Sequence, residues 1–291
     1  MDFLRPATWA EALAARADRP DAVPIQGGTD VMVEINFDVR RPGALLDLTA
    51  IPELATWERA ADGRLRVGAG VPYARVVAEL GDALPGLAQA SRTVGSPQIR
   101  NRGTVGGNLG AASPAGDAHP PLLAGDAVVE AESAARGTRL IPAAEFYLGV
   151  KRNALAPDEL IRAFWMAPAA GPQYFSKVGT RNAMVIAVCS FALALHPEER
   201  RAGTGIGSAA PTPRRAHAAE EFLAAELDWT GGAALDPRAR ARFGELAAGA
   251  ASPIDDVRGT AAYRRHAVAV MARRTLTWAW NDYRKQVEAC A

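Results

Sequence analysis

Three adjoining segments, Gln98-Ile99-Arg100-Asn101, Arg102-Gly103-Thr104-Val105-Gly106-Gly107-Asn108-Leu109-Gly110 and Ala112-Ser113-Pro114-Ala115-Gly116-Asp117, concentrate the groups most able to hold a ligand. Glycines at 103, 106, 107, 110 and 116 permit positive φ and bare N–H groups, which suits an anion lying against main chain. Thr104, Asn108, Ser113 and Asp117 add hydroxyl, amide and carboxylate partners. A second glycine turn stands far upstream, where Pro24-Ile25-Gln26 leads into Gly27-Gly28-Thr29-Asp30-Val31. Two separated glycine turns are expected to clamp one long diphosphate-bearing ligand. Taken alone, Gly27 to Asp30 equally reads as a strand-to-helix turn capped by Asp30.

Other chemistries find less support. Gly68-Ala69-Gly70 opens like a dinucleotide fingerprint, but Tyr73 occupies the third glycine position and no regular βαβ series surrounds it. Gly203-Thr204-Gly205-Ile206-Gly207 fails in the same way, and no Gly-Lys-Ser or Gly-Lys-Thr is present. Cys189 and Cys290 are far apart, and the four histidines show no metal spacing, so this chain is expected to hold neither metal nor iron–sulfur cluster. His119 reads as a structural histidine and Cys189 as a small buried hydrophobe. No side chain is singled out as catalytic. Lys177, one of three lysines, reads by position alone as a solvated lysine on an edge strand.

The elements that must position these groups follow from pattern. Thr8 with Glu11 forms a capping box for a first helix that Pro20 ends. Strands are expected at 23–26, 44–48, 65–67, 127–132, 138–141 and 160–166, with a helix to about Phe37 and a turn at 51–54. Pro168-Ala169-Ala170-Gly171-Pro172 reads as a linker. Beyond it come strands at 174–178, 186–195 and 203–209, then helices near 214–227, 237–249 and 261–288. Trp278, Trp280 and Tyr283 on the last helix read as core or interface.

At 291 residues, with 49% hydrophobic and 22% charged residues, the chain is long enough for two domains with real cores. A net charge of +1 gives no bulk attraction to nucleic acid or anionic membrane. No secretory signal or membrane-spanning run is visible, so cytoplasmic residence is expected.

The ordered set Ile25-Gln26-Gly27-Gly28-Thr29-Asp30, Gln98 to Asn101, Thr104 to Asn108, Asp158-Glu159-Leu160-Ile161, Lys177 with Arg181, Ala209 to Pro213, and Asp255 to Arg258 with Tyr263-Arg264 resembles the FAD-binding medium subunit of molybdenum hydroxylases. Xanthine dehydrogenase and carbon monoxide dehydrogenase belong to that family. The resemblance implies an α+β chain: an FAD-binding domain of the vanillyl-alcohol oxidase and p-cresol methylhydroxylase type, with two α/β subdomains at 1–55 and 56–170, then a smaller α+β domain at 171–291. It implies that both glycine turns meet the FAD pyrophosphate and ribityl chain, that Asp117 sits in the flavin pocket, and that Leu160 and Ile161 lie against the ring. Lys177 would approach the flavin, where its charge would stabilise the anionic reduced form. FAD would be non-covalent. Partner chains would carry [2Fe–2S] clusters and a molybdenum cofactor, in a dimer of heterotrimers, and electrons would pass to NAD⁺. Xanthine or another purine is the expected substrate of the complex. The alternatives are a carbon monoxide, aldehyde or N-heterocycle dehydrogenase with another acceptor, and a non-catalytic nucleotide-binding scaffold.

Overall fold

Alternating strands and helices at the amino terminus build a small parallel sheet. β1 (Asp2–Leu4), β2 (Val23–Ile25) and β3 (Ala44–Asp47) lie in the order β1-β3-β2, both pairings parallel. The helix between the first two strands, α1 (Trp9–Asp18), begins with the expected capping box, in which Thr8 Oγ1 accepts from the Glu11 amide at 3.2 Å and the Glu11 carboxylate accepts from the Thr8 amide at 3.3 Å. Trp9, Ala12 and Leu13 bury its inner stripe. α2 (Val31–Asn36) follows β2, but the expected Asp30 cap does not form. Asp30 has helical backbone angles, φ −109° and ψ −53°, whereas a capping side chain needs extended backbone to turn back on the first amides. The turn at 51–54 is a 3₁₀ turn over Pro52–Ala55.

The second sheet is antiparallel. β4 (Trp57–Arg59), β5 (Leu65–Gly68), β6 (Val128–Ser133), β7 (Gly137–Pro142), the short hairpin β8 (Tyr147–Gly149) with β9 (Arg152–Asn153), and β10 (Leu160–Met166) follow in sequence. The sheet order is β4-β5-β10-β6-β7. Between β5 and β6 run α3 (Tyr73–Glu79), α4 (Pro85–Thr93), α5 (Pro97–Arg102), α6 (Val105–Ala111) and α7 (His119–Ala124); α8 (Ala143–Phe146) precedes β8. The stretch read as a glycine loop is therefore largely helical. Ser96 caps α5 through a bond from the Ile99 amide, and Thr104 caps α6 through one from Gly107 at 2.8 Å, while buried Val105 and Leu109 anchor α6 in the core. Capping and packing together override the poor helix propensity of glycine. One core, including Leu46, Val67, Leu87, Val129 and Phe164, joins both sheets.

The computed structural model describes residues 1–290, apart from the side chain of Cys290. In its last part, β11 (Gln173–Val178), β12 (Cys189–His196) and β13 (Arg201–Gly207) form an antiparallel sheet under α9 (His217–Glu226), α10 (Pro237–Gly249) and α11 (Ala261–Cys290). The strand expected from Ile186 starts only at Cys189. Met184 has φ +51°, and Arg181 donates to the carbonyls of Ala183 and Met184, so the chain bends away here and rejoins the sheet only at Val188, whose amide donates to the Val178 carbonyl at 2.8 Å. Trp280 and Tyr283 are buried against Trp229, as a core reading requires, whereas Trp278 is exposed at the helix surface beside Tyr174.

The glycine-rich segment at 203–207 has a packing role. Alternate residues of a strand share a face, and α7 lies on the one bearing Gly203 and Gly205. A Cβ at 203 would stand 2.0 Å from the Ala124 carbonyl oxygen, and one at 205 would stand 2.1 Å from that of Pro120. Small residues Ala90, Ala124, Ala192 and Ala194 with Phe175 fill the adjoining seam. Gly205→Val should therefore displace α7 and cost about 1–3 kcal/mol or more, read as a lower denaturation midpoint. Gly249→Ala, where a Cβ meets nothing within 4 Å, should leave that midpoint unchanged or slightly higher.

Candidate functional site

A cavity of about 690 Å³ opens where the turn after β2, the start of α6, the residues leading into β10 and the bend after β11 converge. Pro24 and Ile25 on β2, Gln26 to Asp30 in the following turn, and Val31 at the start of α2 form one wall. Thr104, Gly106, Gly107, Asn108 and Gly110 line the cavity from α6, and Leu160, Ile161 and Asp117 line it as well. Leu160 and Ile161 also belong to the main core. Lys177 is not part of the wall; it stands behind Asp117.

The glycines act in different ways. Gly28 takes φ +73°, the left-handed conformation that turns the chain from β2 toward α2. Gly27 presses on the other segment, since a Cβ there would stand 2.1 Å from the Arg102 carbonyl oxygen. Gly106 presses on Ala69 at 2.5 Å, and Gly70 on Gln26 Nε2 at 2.8 Å. The Tyr73 amide donates to the Gly103 carbonyl at 2.9 Å. Gly68 to Gly70 is thus no dinucleotide site, its strand being antiparallel to its neighbours, yet it buttresses the cavity and Ala69 lines it. Contrary to expectation, positive φ is absent from glycines 103, 106, 107, 110 and 116. A Cβ at Gly107 would meet only Thr104 Oγ1, at 3.1 Å, so this glycine leaves the cavity wall bare.

Beside the cavity, at Asp117, a buried ion pair replaces the solvated lysine that position alone suggests. Lys177 Nζ lies 2.5 Å from Asp117 Oδ2, with both side chains 7% exposed. Nζ also donates to the Thr93 carbonyl at 3.2 Å, and the Thr93 hydroxyl donates to Asp117 Oδ2 at 3.2 Å. β11 is an edge strand in pairing, but α4 covers it, and the Phe175 amide donates to Gln89 Oε1 at 2.9 Å. Burial pushes the Asp117 carboxyl above the ordinary aspartate value against the pull of Lys177. Burial and the Asp117 charge push the Tyr73 hydroxyl up as well. His119 is fully buried, its Nδ1 2.8 Å from the Tyr147 hydroxyl, and burial lowers its pKa to about 3, so it is neutral. Among the described residues, no group of three or more His, Cys, Asp or Glu could hold a metal ion.

Sequence reasoning missed several wall residues. Lys151 pairs with Glu34 at the rim, Arg40 lies 3.6 Å from Glu34, and Arg16 and Met184 to Ile186 also line the cavity. No local pattern marks them. The scarcity of lysine, with three in the chain, is the one signal that could have found Lys151.

Over residues 1–166 the chain matches the family described as FAD binding domain in molybdopterin dehydrogenase. The chain belongs to the FAD-binding subunits of molybdenum hydroxylases. Residues 174–279 match the CO dehydrogenase flavoprotein C-terminal domain. The chain is 33% identical over 230 residues to a xanthine dehydrogenase FAD-binding subunit of Escherichia coli O157:H7, covering 75% of this chain and 77% of that one. It is 31% identical over 281 residues to the nicotine 6-hydroxylase medium subunit of Paenarthrobacter nicotinovorans, covering 94% and 95%. Its fold superposes on carbon monoxide dehydrogenase from Hydrogenophaga pseudoflava with a TM-score of 0.88 and 26% identity, covering 97% and 98%. These FAD-binding subunits are parts of oxidoreductases, so the chain is a flavin-dependent oxidoreductase subunit of mixed α and β structure.

The residues present fit FAD. The cavity is of the size that holds a large ligand. Gly107 leaves the wall bare at the start of α6, and Gln26 Oε1, Asn108 Oδ1 and Asp117 Oδ1 are buried at the walls without a partner among the described residues. Gly107→Val projects a branched side chain into the bare wall and should abolish FAD binding while the circular dichroism spectrum stays that of the parent. Stoichiometric FAD at parental affinity in this variant would show that α6 does not clamp the cofactor.

Proposed function

We propose that this chain is the flavin subunit of a three-component xanthine or purine dehydrogenase, receiving electrons from [2Fe–2S] clusters on one partner and passing them to NAD⁺. The observation that carries the flavin assignment is the cavity itself, lined by glycines of both segments and by Asp117 of the buried Asp117–Lys177 pair. Bound FAD supplies the redox chemistry, taking electrons singly and releasing a pair as hydride. The chain's residues position it and set its electrostatics. The turn at Gly27–Gly28 and the start of α6 take the pyrophosphate and ribityl chain. Leu160 and Ile161 pack on the ring and keep water from that face, and Asp117 accepts a hydrogen bond through its open Oδ1. No histidine or cysteine is among the described wall residues, which supports non-covalent attachment.

The remaining assignments rest on the resemblance and on the relatives' names. The parallel and antiparallel sheets joined by one core support two subdomains of the vanillyl-alcohol oxidase type at 1–55 and 56–170, with a separate domain at 171–291. A molybdopterin subunit completes the assembly, taken as a dimer of heterotrimers in the cytoplasm; no helix among the described residues is long and apolar enough to cross a membrane. The second reading, an N-heterocycle dehydrogenase with another acceptor, is favoured by the nicotine 6-hydroxylase match, which spans nearly the whole of both chains.

Two measurements test this assignment. Lys177→Met removes a buried positive charge, so the flavin midpoint potential should fall at high pH. Stability should fall by about 3–5 kcal/mol, because a buried carboxylate loses its partner. As pH drops, Asp117 takes up a proton in place of the lost cation, and the potential should return toward the parental value. A potential equal to the parent's at every pH would detach Lys177 from the flavin. Separately, the purified FAD-loaded chain should reduce an artificial acceptor with NADH, while xanthine alone should leave its flavin oxidised. Inertness to NADH at full FAD occupancy would remove NAD⁺ as the acceptor; bleaching by xanthine unaided would sink the three-component scheme.

A further inference from the structure

Ala209 to Pro213 and Asp255 to Arg258 with Tyr263-Arg264 lie outside the cavity wall, yet a chain of hydrogen bonds runs from the second stretch to it. Arg264, in the first turn of α11, is buried. Its Nη1 donates to the Ser208 carbonyl at 2.6 Å and its Nη2 to Asp256 Oδ1 at 2.5 Å, so one planar fork bridges the end of β13 to the turn before α11. Asp256 has a second cation: Arg258 donates to the same carboxylate through its amide, Nε and Nη2. The Ser208 carbonyl has no other donor among the described bonds. Ser208 takes φ +58°, a left-handed conformation that a non-glycine residue keeps only when its surroundings hold it there.

The other bond of Ser208 leads to the cavity. Its amide donates to the Pro114 carbonyl at 2.8 Å. Ser113, Ala115, Gly116 and Asp117 all line the cavity, while Pro114 between them has no N–H and gives its carbonyl to Ser208. Among the described main-chain bonds, this is the one that ties residues 113–117 to the carboxy-terminal domain. The turn at Asp256 also braces the bend after β11, since a Cβ at Gly259 would stand 3.1 Å from Val188 Cγ1.

We propose that Arg264 is a positioning residue for the flavin site. By holding Ser208 in its left-handed conformation it fixes the Pro114 carbonyl, and with it the seat of residues 113–117, so that Asp117 meets Lys177 and keeps Oδ1 free at the wall. The proposal rests on the flavin reading for what fills the cavity, but not for the link itself.

The test compares the full chain, with and without FAD, with Arg264→Met and with Phe243→Leu, a change in the core of the same domain. Arg258 keeps Asp256 paired, so Arg264→Met should fold, with a lowered melting temperature. In the apo chain, hydrogen exchange at the Ser208 amide and across 113–119 should quicken about tenfold, the size of one charge-assisted hydrogen bond. FAD affinity should fall by about the same factor, and the visible circular dichroism of the flavin at saturation should change. Phe243→Leu should also lower the melting temperature, while exchange at these positions, FAD affinity and flavin spectrum stay parental. Arg264→Lys keeps a cation that the Asp256 carboxylate attracts but has no fork to reach Ser208 as well, so it should recover the melting temperature and not the flavin spectrum. Parental exchange, affinity and spectrum in Arg264→Met would overturn the assignment. So would equal changes in Phe243→Leu, which would leave Arg264 with a role in general stability alone. If the parent chain takes up no FAD, the flavin reading fails, and the exchange comparison decides by itself whether Arg264 holds residues 113–117.

Discussion

The ion pair between Asp117 and Lys177 can exist only because two separately built parts of the chain meet without a gap. Taking both charges out of water is costly, and their attraction offsets that cost only at short range and in fixed geometry. Asp117 follows the turn after α6, and Lys177 sits on β11, so any slip between α7 and the carboxy-terminal sheet would part them. The bare face of β13 prevents that slip by letting the backbone of α7 lie directly on the strand. A short seam of alanines continues the contact toward α4, whose Thr93 supplies the third member of the network. The place of Asp117 in the cavity wall is thus set by packing several residues away from it.

Much of this was legible in the sequence. The two glycine turns stood out because glycine at that density is rare except where backbone must meet a ligand or another segment closely, and every residue assigned to the cofactor except Lys177 lines a single cavity. The capping box at Thr8 and the order of the carboxy-terminal helices followed from local pattern alone. Failures came where a distant contact decides. Asp30 has the right residue type for a cap, but the turn that Gly28 imposes gives it the wrong backbone angles. α6 contains three glycines within seven residues and is still helical, because Thr104 caps it and the core holds Val105 and Leu109. Lys177 reads as exposed on an edge strand, and only the placement of α4 over that strand buries it.

Glycine illustrates why type alone is ambiguous. Gly28 is needed for its φ, Gly27 and Gly106 for backbone approach within the protein, Gly107 for the open space above it, and Gly205 for contact between two halves of the chain. All five look alike in sequence. A substitution would strain the turn in the first case, push segments apart in the next two, fill the cavity in the fourth and loosen the seam in the last. Distinguishing them requires knowing what lies opposite each missing Cβ.

The free edge of β2 has a consequence for how the chain behaves among its own copies. An unpaired strand edge is a template on which another chain can add a strand. Pro24, the middle of the three residues of β2, has no N–H to offer and interrupts the row of donors. The Lys151–Glu34 pair and Arg40 add charges at the rim. The strand thus carries in its own sequence a guard against edge-to-edge self-association.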